Sequence, residues 1–328
     1  MPDLRIPLLC LLLAGLHAAE AVVEASPATA EWRSQCVAID NGKVRVIADP
    51  LHGGRLVAYG PEGGNILQDN REHPEWLFPD NVHWTGPASG RFDIGPEETV
   101  PAHPTLWTGP WSADRPDPLR IRLTSPKDEA SGLQLIRDFV LARDSTRLRC
   151  TQTMRNITDK PLRRSYWGRS LVDRGGISVV PLNPDSRFPH GYVTYSGWKT
   201  NQISLKPKDP SVTIRDGFAI VGPGLETKLG FDGTAGWIAH LSPTGVLFVK
   251  RYAVFPDRRY TGVAGLTASL WSDGKSILEI EPLGPEEHLA PGESASFSEE
   301  WWLLPHPFPG TVEQVDPLAV ARIVAGLQ

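Results

Sequence analysis

Two carboxylates lie two positions apart in a stretch whose pattern predicts a β-strand. Residues 277–283 read Ile-Leu-Glu-Ile-Glu-Pro-Leu. Successive side chains of a strand point to opposite faces, so we expect Glu279 and Glu281 on one face, about 7 Å apart. A turn and a second predicted strand follow, and that strand ends in Trp301 and Trp302. A carboxylate pair beside tryptophans could bind a sugar and remove a proton from it, with Glu281 as the base. The same pattern also fits the solvated face of an ordinary strand.

Three histidines are candidates for a site. His190 lies between proline and glycine in a predicted loop, where a histidine can titrate near neutral pH. It is the best candidate for a catalytic acid, and the alternative is a surface histidine. His83, together with Trp84, belongs to an irregular region rich in proline and glycine, and long ordered loops are often functional. His240 lies in a predicted strand and is either a binding residue or a satisfied core histidine.

Charged residues beside aromatic ones form a further set of candidate binding residues. Arg91 and Asp93 lie in a turn-rich predicted loop and could hold hydroxyl groups, since charged groups form strong hydrogen bonds. Local turn chemistry is the alternative. Alternation places Trp167 and Arg169 on one face of a predicted strand, where they could contact an acidic sugar or form a rim. Lys250, in another predicted strand, is the last candidate for substrate binding.

Net charge and the absence of certain motifs argue against several classes of function. The net charge is −5, which argues against nucleic acid as a partner, since phosphate binding needs a basic face. The usual metal-ligand spacings of cysteine, histidine and carboxylate residues do not occur, and neither do the glycine-rich phosphate-binding loops. We therefore expect no metal and no cofactor.

The N-terminus resembles a secretory signal. Arg5 precedes an apolar run over residues 6–16, and small residues follow it, so we predict a signal peptide over residues 1–21. The apolar run is too short to span a bilayer comfortably. We predict a linker over residues 22–31, a secreted or periplasmic protein, and no transmembrane segment after cleavage.

Two cysteines remain after the predicted cleavage. Cys36 and Cys150 would lie in an oxidising compartment and could form a disulfide. Two separate buried thiols are the alternative, because the sequence does not define the geometry that a disulfide requires.

Composition and pattern predict an all-β fold. The 328 residues include 31 glycines and 31 prolines, and many short alternating runs are separated by turn signals, which favours a sandwich or a barrel. A helical period occurs only at residues 315–327. We predict one domain over residues 32–305 and a C-terminal tail with a short helix over residues 306–328.

Several motifs resemble those of one family. They are Val37–Tyr59 with its Gly53-Gly54 turn, Trp84-Thr85-Gly86-Pro87, Asn156–Pro161 followed by Tyr166-Trp167, Gly236–His240, and Glu281–Pro285. In their order and spacing, over residues 33–304, the chain resembles galactose-mutarotase-like (aldose 1-epimerase-like) domains, in particular secreted bacterial proteins of unknown function with one such domain. The resemblance implies a β-supersandwich of two large antiparallel sheets that binds sugar on its concave face.

The resemblance also implies catalytic positions. Galactose mutarotases use a glutamate on a late strand as base, and Glu281 or Glu279 occupies a comparable place. They use a histidine as acid, but the comparable stretch here, residues 163–167, has none.

Three functions remain open from the sequence. The leading one is an exported protein that binds a mono- or oligosaccharide and acts in sugar or polysaccharide use. The second is an epimerase, a mutarotase-type or a lyase-type enzyme with Glu281 as base. The third is a structural envelope protein without a working site.

Overall fold

The computed structural model describes residues 35–68, 89–96, 99–196, 202–274 and 277–328. The predicted signal peptide and linker lie outside the described residues, and so do His83 and Trp84. The described part consists mainly of two large antiparallel sheets packed face to face. The predicted all-β fold of two large antiparallel sheets with a short C-terminal helix is therefore confirmed.

The first sheet has 11 strands. Numbered in chain order through the whole molecule, they are β1 (Val37–Asp40), β2 (Arg45–Asp49), β3 (Arg55–Gly60), β4 (Gly90–Gly95), β9 (Leu162–Asp173), β11 (Val193–Ser196), β12 (Gln202–Ser204), β15 (Lys228–Phe231), β18 (Ala268–Ser272), β19 (Ile277–Pro282) and β20 (Glu287–Leu289). Their spatial order is β1-β2-β3-β4-β9-β19-β18-β15-β11-β12, and β20 pairs with β9. Strands that are distant in sequence, such as β4, β9 and β19, are thus neighbours.

The second sheet has 10 strands. They are β5 (Ser112–Asp117), β6 (Arg120–Thr124), β7 (Leu133–Leu141), β8 (Leu148–Asn156), β10 (Ile177–Pro181), β13 (Val212–Arg215), β14 (Phe218–Val221), β16 (Trp237–Ser242), β17 (Val246–Tyr252) and β21 (Ser294–Pro305). Their spatial order is β13-β14-β10-β16-β17-β21-β8-β7-β6-β5.

Two α-helices accompany the sheets in the part of the chain that the structure describes. The short helix α1 spans Pro104–Trp107, and α2 spans Pro317–Ala325 within the predicted C-terminal helix. Asp316 caps α2 by accepting a hydrogen bond from the backbone N–H of Ala319, which satisfies one of the free donors at a helix N-terminus. The apolar side of α2 packs on the second sheet through Val320 and Val324.

Alternation along β19 sends its side chains to two different environments. Leu278 and Ile280 join the apolar core between the sheets, whereas Glu279 and Glu281 lie on the opposite, outer face of the first sheet. The predicted division of this strand between two faces is confirmed. The two glutamates are 1% and 0% exposed, so the alternative of a solvated strand face is wrong.

The structure corrects one further expectation. Arg91 and Asp93 lie on strand β4 and not in a loop, because β4 pairs with the long strand β9.

Both cysteines are within the described residues, and no disulfide joins them. Cys150 is buried in the core between the sheets, whereas Cys36 packs with Val57 elsewhere, so the structure has the alternative of two separate cysteines.

Candidate functional site

The outer face of the first sheet carries a set of buried charged side chains. Strands β4, β9, β19 and β15 contribute most of them, and His103 comes from the residue before α1. We call this set the polar cluster: Arg91, Asp93, His103, Arg169, Lys228, Glu279 and Glu281. Each member is at most 8% exposed, so their charges interact in surroundings that screen them far less than water does.

Part of the polar cluster is a chain of ion pairs. His103 Nε2 lies 2.9 Å from Asp93 Oδ1, and Arg169 lies 3.4 Å from Asp93 Oδ2. Arg169 Nε donates to Glu279 Oε1 at 2.6 Å. Each buried charge therefore has an opposite charge beside it, which offsets the cost of removing it from water.

These pairs shift the ionisation of their members. Burial acts to raise the pKa of Asp93, but the hydrogen bond and charge of His103 outweigh it and hold that pKa below its usual value. Burial likewise acts to raise the pKa of Glu279, and the charge of Arg169 lowers it overall. Burial acts to lower the pKa of His103, and Asp93 raises it overall. Asp93 and Glu279 are consequently anionic at neutral pH.

Glu281 lies in a different environment from Glu279. Lys228 Nζ lies 3.1 Å from Glu281 Oε2, and beyond this ion pair neither carboxylate oxygen has a hydrogen-bond partner among the described residues. Burial raises the pKa of Glu281 to about 8, against the opposing effect of Lys228 and with the help of Glu279. At pH 7 Glu281 therefore holds its proton and can donate it, and it becomes a base only above about pH 8.

A small pocket opens beside Glu281. Trp167, Tyr195, Lys228 and Glu281 line it, together with Leu283 and the chain around Gly262. The indole N–H of Trp167 is buried and has no hydrogen-bond partner among the described residues. The pocket thus offers flat aromatic surface, an ion pair and an unused donor at one place.

Cations and aromatic rings alternate across the outer face. The Trp167 ring centroid lies 4.2 Å from Arg169 Cζ and 4.8 Å from Lys228 Nζ. The Trp107 ring centroid, on α1, lies 4.8 Å from Arg91 Cζ and 5.7 Å from Arg169 Cζ. Contacts of this kind contribute about 0.5–2 kcal/mol each, and here they link the pocket to the far end of the polar cluster.

The two described candidate histidines lie away from the polar cluster. His190 is exposed in the connection between β10 and β11, and its Nδ1 lies 3.1 Å from the carbonyl oxygen of Pro207. His240 is fully buried on β16 in the second sheet, where its Nδ1 lies 3.0 Å from Ser178 Oγ. Burial lowers the pKa of His240 to about 4, so its ring is neutral.

Lys250 does not reach the polar cluster either. It points from β17 into the space between the sheets, where its Nζ lies 2.8 Å from Glu299 and donates to Ser170 Oγ. Both partners of this ion pair are 0% exposed. Lys250 is consequently enclosed in the interior and is not available to a ligand on the outer face.

Of the predicted substrate-binding and catalytic residues, the structure brings six together on the outer face: Arg91, Asp93, Trp167, Arg169, Glu279 and Glu281. Sequence analysis did not select Lys228, Tyr195, His103 or Trp107 for the site. His103 and Trp107 belong to the irregular region already suspected of forming a site. For Lys228 the available signal was a single lysine at the start of a short strand that is otherwise uncharged and largely apolar.

The two stacked sheets and the buried polar face define the galactose-mutarotase-like class of β-sandwich. Solved structures with this fold include a candidate aldose 1-epimerase from Escherichia coli K12, with a TM-score of 0.56 and 14% identity over 82% of this chain and 99% of that one. A galactose mutarotase-like protein from Lactobacillus casei ATCC 334 has a TM-score of 0.55 and 11% identity, covering 82% of this chain and 100% of that one. Another galactose mutarotase-like protein, from Clostridium acetobutylicum, has a TM-score of 0.55 and 12% identity over 82% and 95% of the two chains.

The likeness to these proteins is one of fold. No protein-family model and no curated protein matches the sequence. Within the described ranges, no helix has the length and apolar character needed to cross a membrane. Among those same residues, no three or more histidine, cysteine or acidic side chains are grouped so that they could hold a metal ion.

Proposed function

We propose that this chain binds a carbohydrate in the pocket beside Glu281, as an exported protein that takes part in sugar or polysaccharide use. The observation that carries the proposal is Glu281 itself. Its carboxyl group is fully buried, has Lys228 and Glu279 as its charged neighbours, and lines an open pocket. A buried polar group without full hydrogen bonding costs about 1–3 kcal/mol, and a ligand that supplies hydroxyl groups would recover this energy.

The other walls of the pocket suit the same ligand. Trp167 and Tyr195 offer flat apolar surfaces with polar edges, and sugar rings have apolar faces and polar rims. Ligand pockets commonly combine aromatic walls with a few convergent polar groups. This aromatic lining also favours binding over a purely structural role. Export is supported by the signal-like N-terminus and is part of the proposal.

A mutarotase-type reaction is the second candidate, and the Glu281–Lys228 pair favours it. Mutarotation needs a base that takes the proton of the anomeric hydroxyl while the bond from C1 to the ring oxygen breaks, and an acid that protonates the ring oxygen. Above about pH 8, where Glu281 has lost its proton, its carboxylate can serve as the base and the Lys228 ammonium group, 3.1 Å away, as the acid. Such groups contribute about 10²- to 10⁴-fold each to a rate.

One NMR experiment tests both candidates. Purified protein is mixed with a panel of neutral sugars and uronic acids; line broadening reports binding, and exchange cross-peaks between anomers report turnover. We expect sugar affinity to fall by about 10- to 100-fold in Glu281→Gln, because the amide replaces the O–H donor and one oxygen acceptor of the carboxyl group with an N–H₂ group that only donates. Anomer exchange that Glu281→Gln abolishes would establish the second candidate.

Glu62→Gln is the matched control, because Glu62 is an exposed carboxylate in the turn after β3. It should bind and turn over sugars like the unmodified protein. Absence of broadening across the whole panel, or equal binding by a correctly folded Glu281→Gln protein, would contradict the proposal.

A further inference from the structure

Arg91 is a buried cation that the proposed sugar pocket does not use. It is 7% exposed, and its guanidinium group forms no hydrogen bond or ion pair with any other described residue. The Trp107 ring lies beside it, with its centroid 4.8 Å from Cζ. A guanidinium group has five N–H donors, and those of Arg91 have no acceptors among the described residues.

The neighbouring charges do not compensate Arg91. Burial lowers its pKa well below the usual value, Arg55 and Arg169 lower it further, and Asp93 and Glu279 act against them only in part. Asp93 and Glu279 are already engaged by His103 and Arg169, through the contacts that form the chain of ion pairs. An arginine remains protonated in proteins, so this end of the polar cluster has an unbalanced positive charge.

The charges of the whole polar cluster lead to the same conclusion. At pH 7 its cations are Arg91, Arg169 and Lys228, and its permanent anions are Asp93 and Glu279. Glu281 holds its proton at this pH because its pKa is about 8. The cluster is therefore positive overall, and an anion placed on it would gain electrostatic energy in a poorly screened environment.

Arg91 is connected to the pocket through a short series of contacts. It pairs across the sheet with Arg169, and both guanidinium groups contact the Trp107 ring. Arg169 in turn lies 4.2 Å from the ring centroid of Trp167, which lines the pocket. Arg91 is thus connected through Trp107 and Arg169 to a wall of the pocket, and a ligand that fills the pocket and contacts Arg91 must extend past Arg169.

We propose that the carbohydrate bound by this chain carries an oxyanion, a carboxylate or a phosphate, and that Arg91 binds this group. The inference rests on the proposed function and names its substrate class. The planar guanidinium group matches both oxyanions with two parallel hydrogen bonds. Neutral sugars would occupy the pocket but would leave the donors of Arg91 without acceptors.

Titration calorimetry with matched ligands tests this inference. The pairs are glucuronate with glucose, galacturonate with galactose, and glucose 6-phosphate with glucose. We expect the anionic member to bind about 10- to 100-fold more tightly than its neutral partner. A preference in the uronate pairs identifies a carboxylate, and a preference in the phosphate pair identifies a phosphate.

Variants of Arg91 assign the preference to this residue. In Arg91→Gln the ratio of anionic to neutral affinity should fall to about one. Arg91→Lys keeps the charge but not the planar fork, so the ratio should fall several-fold and remain above one; this variant also serves if Arg91→Gln does not fold. Arg45→Gln, at an exposed arginine of β2, should keep the full ratio.

The outcomes separate this inference from the proposed function. Equal binding of anionic and neutral sugars, or a ratio that neither Arg91 variant changes, overturns the role of Arg91. The proposed function survives that result if Glu281→Gln still weakens neutral-sugar binding. If no sugar of any pair binds, both proposals fail.

Discussion

Two buried glutamate–lysine pairs lie on opposite sides of the first sheet, and their surroundings differ. Glu299 and Lys250 lie between the sheets, 2.8 Å apart and both 0% exposed. Glu281 and Lys228 lie on the outer face, 3.1 Å apart and at most 10% exposed. The distances and the chemistry of the two pairs are nearly the same, so the difference between them lies in their other partners.

The interior pair is fully surrounded by hydrogen bonds. Tyr166 donates to one oxygen of Glu299 at 2.5 Å, and the Trp301 indole N–H donates to the other at 2.7 Å. Glu281 accepts no comparable bond from the described residues. A fully bonded buried pair helps to define one packing of the sheets, whereas a partly bonded pair beside a pocket is available to a ligand.

The largest expected effect is on stability, from breaking the interior pair. Lys250→Met leaves the Glu299 carboxylate buried without its cation, which should cost about 3–5 kcal/mol in the free energy of unfolding. Urea denaturation followed by tryptophan fluorescence measures this cost. The double variant Lys250→Met with Glu299→Gln should recover part of it, because no uncompensated charge remains.

A loss below about 1 kcal/mol for Lys250→Met alone would show that the interior pair contributes little to stability, and the contrast between the two pairs would disappear.

The second effect is a pH dependence that belongs to the outer pair. The pKa of Glu281 is about 8 in the folded chain and near 4.5 when unfolded, so between these values the folded state keeps a proton that the unfolded state has released. Stability therefore falls as pH rises through this window, by at most about 1.4 kcal/mol per pH unit from this group.

Glu281→Gln should remove this pH dependence of stability, and Glu62→Gln should not. Denaturation midpoints at pH 5 to 8 measure it, and identical slopes for Glu281→Gln and the unmodified protein would contradict the raised pKa.

The smallest effect is expected at an exposed pair. Arg258 donates to both oxygens of Glu287, at 2.9 and 2.8 Å, in a pair whose side chains are 38% and 21% exposed. Glu287→Gln should cost less than about 1 kcal/mol, and high salt should reduce the cost further. The same denaturation assay measures it. A cost as large as that of Lys250→Met would mean that burial does not explain the difference between these pairs.

The fold was largely predictable because its signals are local. Strand β7, Leu133–Leu141, alternates between buried and more exposed residues along its whole length, and β17, Val246–Tyr252, begins with a run of four apolar residues. Strand β4 lies in a region interrupted by proline and glycine. Its residues 91–94 do alternate between polar and apolar, but this run is only four residues long and is bounded by Gly90 and Gly95, so it does not stand out from the turns around it.

The site was less predictable because it depends on pairing between distant strands. Alternation correctly grouped Glu279 with Glu281, but it could not show that β15 would place Lys228 against them. Lys250 shows the opposite error, because it was selected for the site and does not reach it. A lone lysine in a strand suggested a binding surface, and only the packing of the two sheets shows that it faces Glu299. The two-residue alternation along a strand identifies which side chains share a face, but it does not identify the strands or side chains that pack against that face.

Strand β9 is shared by both glutamate–lysine pairs. Trp167 and Arg169 point to the pocket, while Tyr166 and Ser170, on the other face of the same strand, bond to the interior pair. Movement of the backbone at Trp167 would disturb the adjacent residue Tyr166 and its hydrogen bond to Glu299. This part of the pocket wall is therefore preorganised, and a ligand that contacts it binds with little loss of conformational entropy from the protein.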